Sequence, residues 1–299
     1  MVRIRRAGRF RAHAAVLMFV VAAVSPARGA SDVDFLRTET MGEQSVRLGL
    51  TTSPATYEPL NYRIPGQEEV RVVTVSYDPE SDLTADIYYP PTVDLQTLSE
   101  ISLPVVIFPA GFSVSRFESY GLPPPKDQPG AVGWATVFAM QGAIAVACDV
   151  EVLDEGFHRL FDFLTGHEEE LGLDLSRIGI WATSGSGKFA SIAIGYPEIA
   201  QAIRAVQFFS ADPNPTITPE GDIAFYLVYP TSDARKRWET IGAALARRLE
   251  IQGTEVVVDS TAPYKGFTVD DHTPESIDIV RKAVVWMRDT LEATAVRAD

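Results

Sequence analysis

From Val70 onward, short apolar runs alternate with segments of helical period, and this alternation leaves few folds open to the chain. Residues 70–77 and 83–89 read as strands joined by the turn Asp78-Pro79-Glu80-Ser81, and Pro90-Pro91 ends the second. Further strands are expected at 103–108, 143–148, 178–182, 203–209, 223–228 and 255–258. Helical patterns cover 133–141, 156–171, 188–195, 233–252 and 275–291. Units of this length predict right-handed strand–helix–strand crossovers: an α/β fold with a mainly parallel central sheet, an antiparallel hairpin at its start and helices on both faces. Residues 70–299 are expected to form the one domain. The link from Asp212 to Asp222 is about eleven residues, too short for a lid domain.

The N-terminus has another character. Arg3, Arg5, Arg6, Arg9 and Arg11 precede an uncharged apolar stretch from Ala14 to Val24, and Ser25-Pro26-Ala27-Arg28-Gly29-Ala30 supplies small residues for cleavage. This predicts a signal peptide over 1–29, with 30–69 a polar, irregular extension and the mature chain secreted or periplasmic. The apolar stretch is short for a membrane span, so no stable membrane insertion of the mature protein is expected. The formal charge is −14, and removing six arginines with 1–29 takes it to −20. A chain this acidic is a poor partner for nucleic acid or anionic lipid. Its single cysteine, Cys148, ends an apolar run and reads as a small buried hydrophobe, so stability must come from the core.

Chemistry concentrates in Arg177-Ile178-Gly179-Ile180-Trp181-Ala182-Thr183-Ser184-Gly185-Ser186-Gly187. An apolar strand breaks into small residues around Ser184 and passes at once into a helix. In so cramped a turn the residues two before and two after the serine must be small, and Ala182 and Ser186 are. Ser184 is the candidate nucleophile, with Ser186 as the alternative within the motif. The Gly185 N–H would face a developing oxyanion. Gly187-Lys188 also resembles the end of a phosphate loop, but that pattern needs glycine where Ala182 stands and Ser or Thr where Phe189 stands.

A serine nucleophile needs a base, and the chain has four histidines. His13 leaves with the signal peptide, and His158 and His167 read as solvated positions of one helix. His272 follows the last strand, just before the helix start Thr273-Pro274-Glu275, and is the expected base. Asp233, where strand 223–228 runs out into a loop, is the expected acid, with Asp212 as the alternative. The second oxyanion donor is expected from Pro109-Ala110-Gly111-Phe112, as the Phe112 N–H, and Pro123-Pro124-Pro125 is expected to shape one cleft wall. Asp149, Glu151 and Asp154 lack metal-ligand spacing and read as acidic surface; no metal or cofactor is expected.

With these residues in place, the chain from about Leu83 to Leu291 resembles the α/β-hydrolase superfamily, and is most similar to secreted esterases of the dienelactone-hydrolase-like kind. Carrying the resemblance are Ala85-Asp86-Ile87-Tyr88-Tyr89-Pro90, Pro109-Ala110-Gly111-Phe112, Leu171-Gly172-Leu173-Asp174-Leu175-Ser176-Arg177, the serine turn and the strand end at Asp233. It implies hydrolysis of small-molecule esters or lactones through an acyl-serine, with Ser184, Asp233 and His272 as triad and Phe112 and Gly185 as oxyanion donors. One departure stands out. Several relatives carry His-Gly-Phe in the last loop, and here the similar place reads Lys265-Gly266-Phe267, seven residues before His272. Either His272 supplies the base, or the triad is broken and the chain is a non-catalytic ligand-binding or scaffold protein.

Overall fold

The computed structural model describes residues 51–54, 64–209, 211, 222–228, 236–251, 256–259 and 274–295. Its strands are β1 (Thr51–Pro54), β2 (Arg71–Asp78), β3 (Leu83–Tyr89), β4 (Leu103–Phe108), β5 (Ile144–Cys148), β6 (Leu173–Thr183), β7 (Ile203–Phe209), β8 (Ala224–Val228) and β9 (Val256–Asp259). Its helices are α1 (Val114–Ser119), α2 (Pro129–Met140), α3 (Leu153–Gly166), α4 (Gly187–Ala193), α5 (Pro197–Ala200), α6 (Lys236–Ile251) and α7 (Pro274–Ala295).

The described strands form one sheet in the order β1-β2-β3-β5-β4-β6-β7-β8-β9. Pairs β1–β2, β2–β3 and β3–β5 are antiparallel, and every pair from β5–β4 to β8–β9 is parallel. The expected mainly parallel sheet with an antiparallel start is thus present. Side-chain alternation feeds two cores. Val105, Ile107, Ile178, Ile180 and Ala182 point to the face where Phe157 and Leu160 of α3, Phe189 of α4 and Leu249 of α6 pack. Val106, Phe108 and Trp181 point to the other, under Trp134 and Phe138 of α2 and Ala283 and Met287 of α7. Gly179 lets α7 approach: a Cβ there would sit 2.5 Å from the Met287 sulfur.

Several boundaries differ from the sequence reading. Thr51–Pro54 pairs with β2 as an edge strand inside a segment read as irregular. Helix α3 begins and ends earlier than 156–171; the chain leaves it at His167 and reverses at Gly172, φ +65. A Cβ at Gly172 would lie 2.6 Å from Ile101 Cγ1 and 2.8 Å from the Leu98 carbonyl, so both φ and space call for glycine. Helix α1 was not anticipated; Ser113 caps it by accepting from the Arg116 N–H at 3.3 Å. The link 212–221 lies outside the described residues.

Candidate active site

Strand β6 lies inside the sheet, between β4 and β7, and its C-terminal end carries the serine turn. Ser184 has φ 48, left-handed backbone that a residue with a Cβ adopts at a cost of about 1–2 kcal/mol. The surroundings hold it there. The Thr183 N–H donates to Ser186 Oγ at 2.6 Å, and the Ser186 hydroxyl donates back to the Thr183 carbonyl at 2.7 Å. The chain then completes one 3₁₀ turn, Ser184–Ser186, before α4 begins. Ser186 is 2% exposed and uses its hydroxyl as both donor and acceptor, so it is the clasp of the turn and is not free to attack a substrate.

The loop after β4 closes against this turn. A Cβ on Gly185 would sit 3.0 Å from the Gly111 carbonyl and 3.2 Å from the Phe112 ring; one on Gly111 would sit 3.3 Å from the Ser186 nitrogen. Two glycine backbones in such contact explain why neither position carries a side chain. Phe112 is 41% exposed, its ring covered by the Arg116 guanidinium 4.2 Å from the centroid and flanked by Phe117 at 6.3 Å.

Ser184, Gly185, Gly111 and Phe112 border one cleft of about 350 Å³, a size suited to a small organic ligand. Phe108, Trp134 and Trp181, all buried, form its apolar floor. The floor is braced by rings: Trp134 to Trp181 at 4.9 Å, Phe138 to Trp181 at 5.1 Å and Trp181 to Phe209 at 6.2 Å. Pro125, Gln128 and Pro129 supply a wall, as the proline run suggested. Trp134 was missed in the sequence because its signal was faint: one tryptophan in a mostly apolar helix that alternates small residues with Val132, Val137, Phe138 and Met140. Cys148 also lines the cleft, 1% exposed, and burial with Asp149 beside it pushes its thiol up to about 12. It stays a thiol at neutral pH and acts as an apolar surface.

The structure thus brings together Ser184, Gly185 and Phe112. Asp233, His272, the alternative acid Asp212 and Lys265 lie outside the described residues. His158 and His167 are half-buried packing residues rather than solvated ones. His158 meets Tyr196 edge-on at 4.3 Å, while His167 stacks on Phe163 at 4.3 Å with Nδ1 2.8 Å from the Phe163 carbonyl. Asp149, read as acidic surface, is instead 5% exposed, beneath the segment carrying Lys126. Glu151 accepts from the Ser115 N–H and hydroxyl, tying α1 to the loop after β5.

No family model matches the chain, and no curated protein matches it in sequence. In three dimensions it is similar to esterase 2 of Thermogutta terrifontis phosphoramylated by tabun, with a TM-score of 0.54 at 15% identity over 78% of this chain and 97% of that one. The butyrate-bound form of that thermophilic esterase gives 0.54 at 15% identity, over 77% and 96%. Esterase LipW from Mycobacterium marinum gives 0.53 at 13% identity, over 86% and 87%. At such identities the likeness establishes the architecture: this chain has the α/β-hydrolase fold. No described helix is long and apolar enough to cross a membrane.

Proposed function

We propose that the protein is a serine hydrolase that cleaves carboxylic esters or lactones of small molecules. The observation that carries this reading is the backbone of Ser184, φ 48 at the end of β6, which projects a hydroxyl-bearing residue into a cleft floored by apolar side chains. A strained residue that the surrounding structure maintains is a marker of function, since an ordinary turn would place glycine there. The esterases that share the fold support the assignment by analogy.

In this reading His272 takes the proton from Ser184 Oγ as it attacks the ester carbonyl, and Asp233 holds the imidazole and stabilises its charged form. The tetrahedral oxyanion is held by the N–H groups of Gly185 and Phe112, whose loops pack against each other at the cleft edge. His272 then gives its proton to the leaving alcohol, leaving an acyl-serine that water hydrolyses by the same steps. The motifs shared with dienelactone-hydrolase-like esterases make that subtype our assignment, and residues 1–29 make the mature enzyme an exported one, in the periplasm or outside the cell. Purified protein lacking 1–29 is expected to hydrolyse p-nitrophenyl acetate with saturation kinetics; a rate no faster than buffer would sink the reading.

A smaller effect tests the oxyanion geometry. In Gly185→Ala the new methyl group meets the Gly111 carbonyl at 3.0 Å, a contact with a backbone atom that only a shift can relieve. Moving one donor out of line is expected to lower kcat by roughly 10- to 100-fold with a much smaller change in KM. Steady-state kinetics on a short-chain ester reads this directly, and an unchanged kcat would remove Gly185 from the oxyanion site.

A further inference from the structure

The cleft wall formed by Pro125, Gln128 and Pro129 is attached to the sheet in a particular way. Within the segment, the Asp127 and Gln128 amides donate to the Pro124 and Pro125 carbonyls, and the Gln128 side chain donates to the Pro123 carbonyl at 2.5 Å. These bonds shape the wall without anchoring it. Apart from its continuation into α2, its polar attachment to the sheet among the described residues is Lys126: its N–H donates to Asp149 Oδ1 at 3.2 Å, and its Nζ lies 3.0 Å from both Asp86 Oδ2 and Asp127 Oδ1.

Asp149 follows β5 directly, next to Cys148 in the cleft lining. Its remaining partners are fixed. Thr84 of β3 donates to Oδ2 at 3.2 Å, the Asp149 N–H donates to the Thr84 carbonyl at 3.0 Å, and the Tyr77 hydroxyl of β2 donates to the Asp149 carbonyl. The groups facing the carboxylate are therefore Lys126 and Asp127 from the wall, Thr84 from β3, Tyr77 from β2 and Cys148 from its own strand. Asp86, behind Lys126, accepts from Thr74 at 2.7 Å and is itself 7% exposed.

We propose that Asp149 is a positioning residue for the cleft: clamped beneath Lys126, it makes the seating of the Pro125–Pro129 wall, and with it substrate affinity, respond to protons. The wall lies over this carboxylate through the Lys126 N–H, and beneath it Asp149 is buried. That burial pushes Asp149 up to about 6, against the Lys126 N–H and charge and the Thr84 hydroxyl, with the Asp127 charge adding to the rise. The sign follows from linkage. A carboxyl with a higher pKa under the seated wall than in water favours seating fully below the ordinary carboxylate range. That preference fades as the pH rises toward about 6 and is constant above it. With the carboxyl at about 6 under the seated wall and in the ordinary carboxylate range in water, the change in the seating equilibrium is capped at about 100-fold.

The test is hydrogen exchange followed by mass spectrometry between pH 4.5 and 8, corrected for the intrinsic pH dependence of exchange. Peptides covering 120–132 are expected to lose protection by about 10-fold or more across this range, while β4 and β6 keep theirs. Asp149→Asn is expected to abolish that dependence; a wild-type profile indistinguishable from the variant's would overturn the proposal. If Asp149→Asn does not fold, Thr84→Val serves. It removes a hydrogen bond that favours the charged form, so the midpoint must rise, and a midpoint that stays put is equally fatal. A kinetic arm rests on the hydrolase reading: KM for p-nitrophenyl acetate should rise with pH with the same midpoint, and Asp149→Asn should remove that component while kcat does not share it. Exchange reads the wall without substrate, so an inactive protein with the expected exchange profile fails the hydrolase reading alone.

Discussion

Ser184→Ala is expected to reduce ester hydrolysis by about 10⁴-fold or more in kcat/KM while leaving the fold as stable as before. Alanine retains the Cβ, so the left-handed backbone at φ 48 stays as strained as it was, and the Ser186 clasp on Thr183 is untouched. Ser184→Gly separates strain from chemistry. It removes the same hydroxyl and relieves about 1–2 kcal/mol of backbone strain, against about 0.5–1 kcal/mol of extra chain entropy lost on folding. A net gain of roughly 0.5–1 kcal/mol should therefore accompany the loss of activity. Urea titration of the two variants beside wild type checks it. If both variants keep their activity, Ser184 is not the nucleophile; if glycine destabilises, φ 48 is not a strained position.

His272→Ala carries the second large effect, a fall of about 10³- to 10⁴-fold in kcat with KM nearly unchanged. The base acts on the serine proton in the transition state and contributes little to binding the ester, so its loss should appear in kcat. Lys265→Ala is the paired control. Lys265-Gly266-Phe267 occupies the place where similar esterases carry His-Gly-Phe, so a protein whose base is His272 should keep most of its activity without the lysine. The reverse pattern, with Lys265→Ala inactive and His272→Ala active, would reassign the base. Loss in neither would favour the alternative of a non-catalytic binding protein on this fold.

Much of the architecture was legible because period and composition agree in the strands. The run at 103–108 has no charge or glycine to break it, and its strand boundaries match those observed. The serine turn was legible for a related reason: Ala182, Gly185 and Ser186 are small where a strand must turn at once into a helix. What escaped the sequence depends on contacts between distant segments. Ser186 and Ser184 look alike in a string of small residues, and only the bonds to Thr183 show that one is the clasp. Asp149 looks like any loop acid, and the groups packed on it, Lys126, Thr84 and Tyr77, are 23 or more positions away in the chain. Beyond helix α3, Gly172 must reverse the chain against Leu98 and Ile101, a constraint local periodicity does not carry. Asp233 rests on chain order alone, and His272 on chain order and the elimination of the other histidines.

The most direct measurement is covalent labelling of the folded protein, without residues 1–29, by a fluorophosphonate probe, followed by peptide mapping. The account predicts one adduct, on Ser184, absent after heat denaturation and absent from Ser184→Ala. An adduct on Ser186, or no adduct on the folded protein, would contradict it.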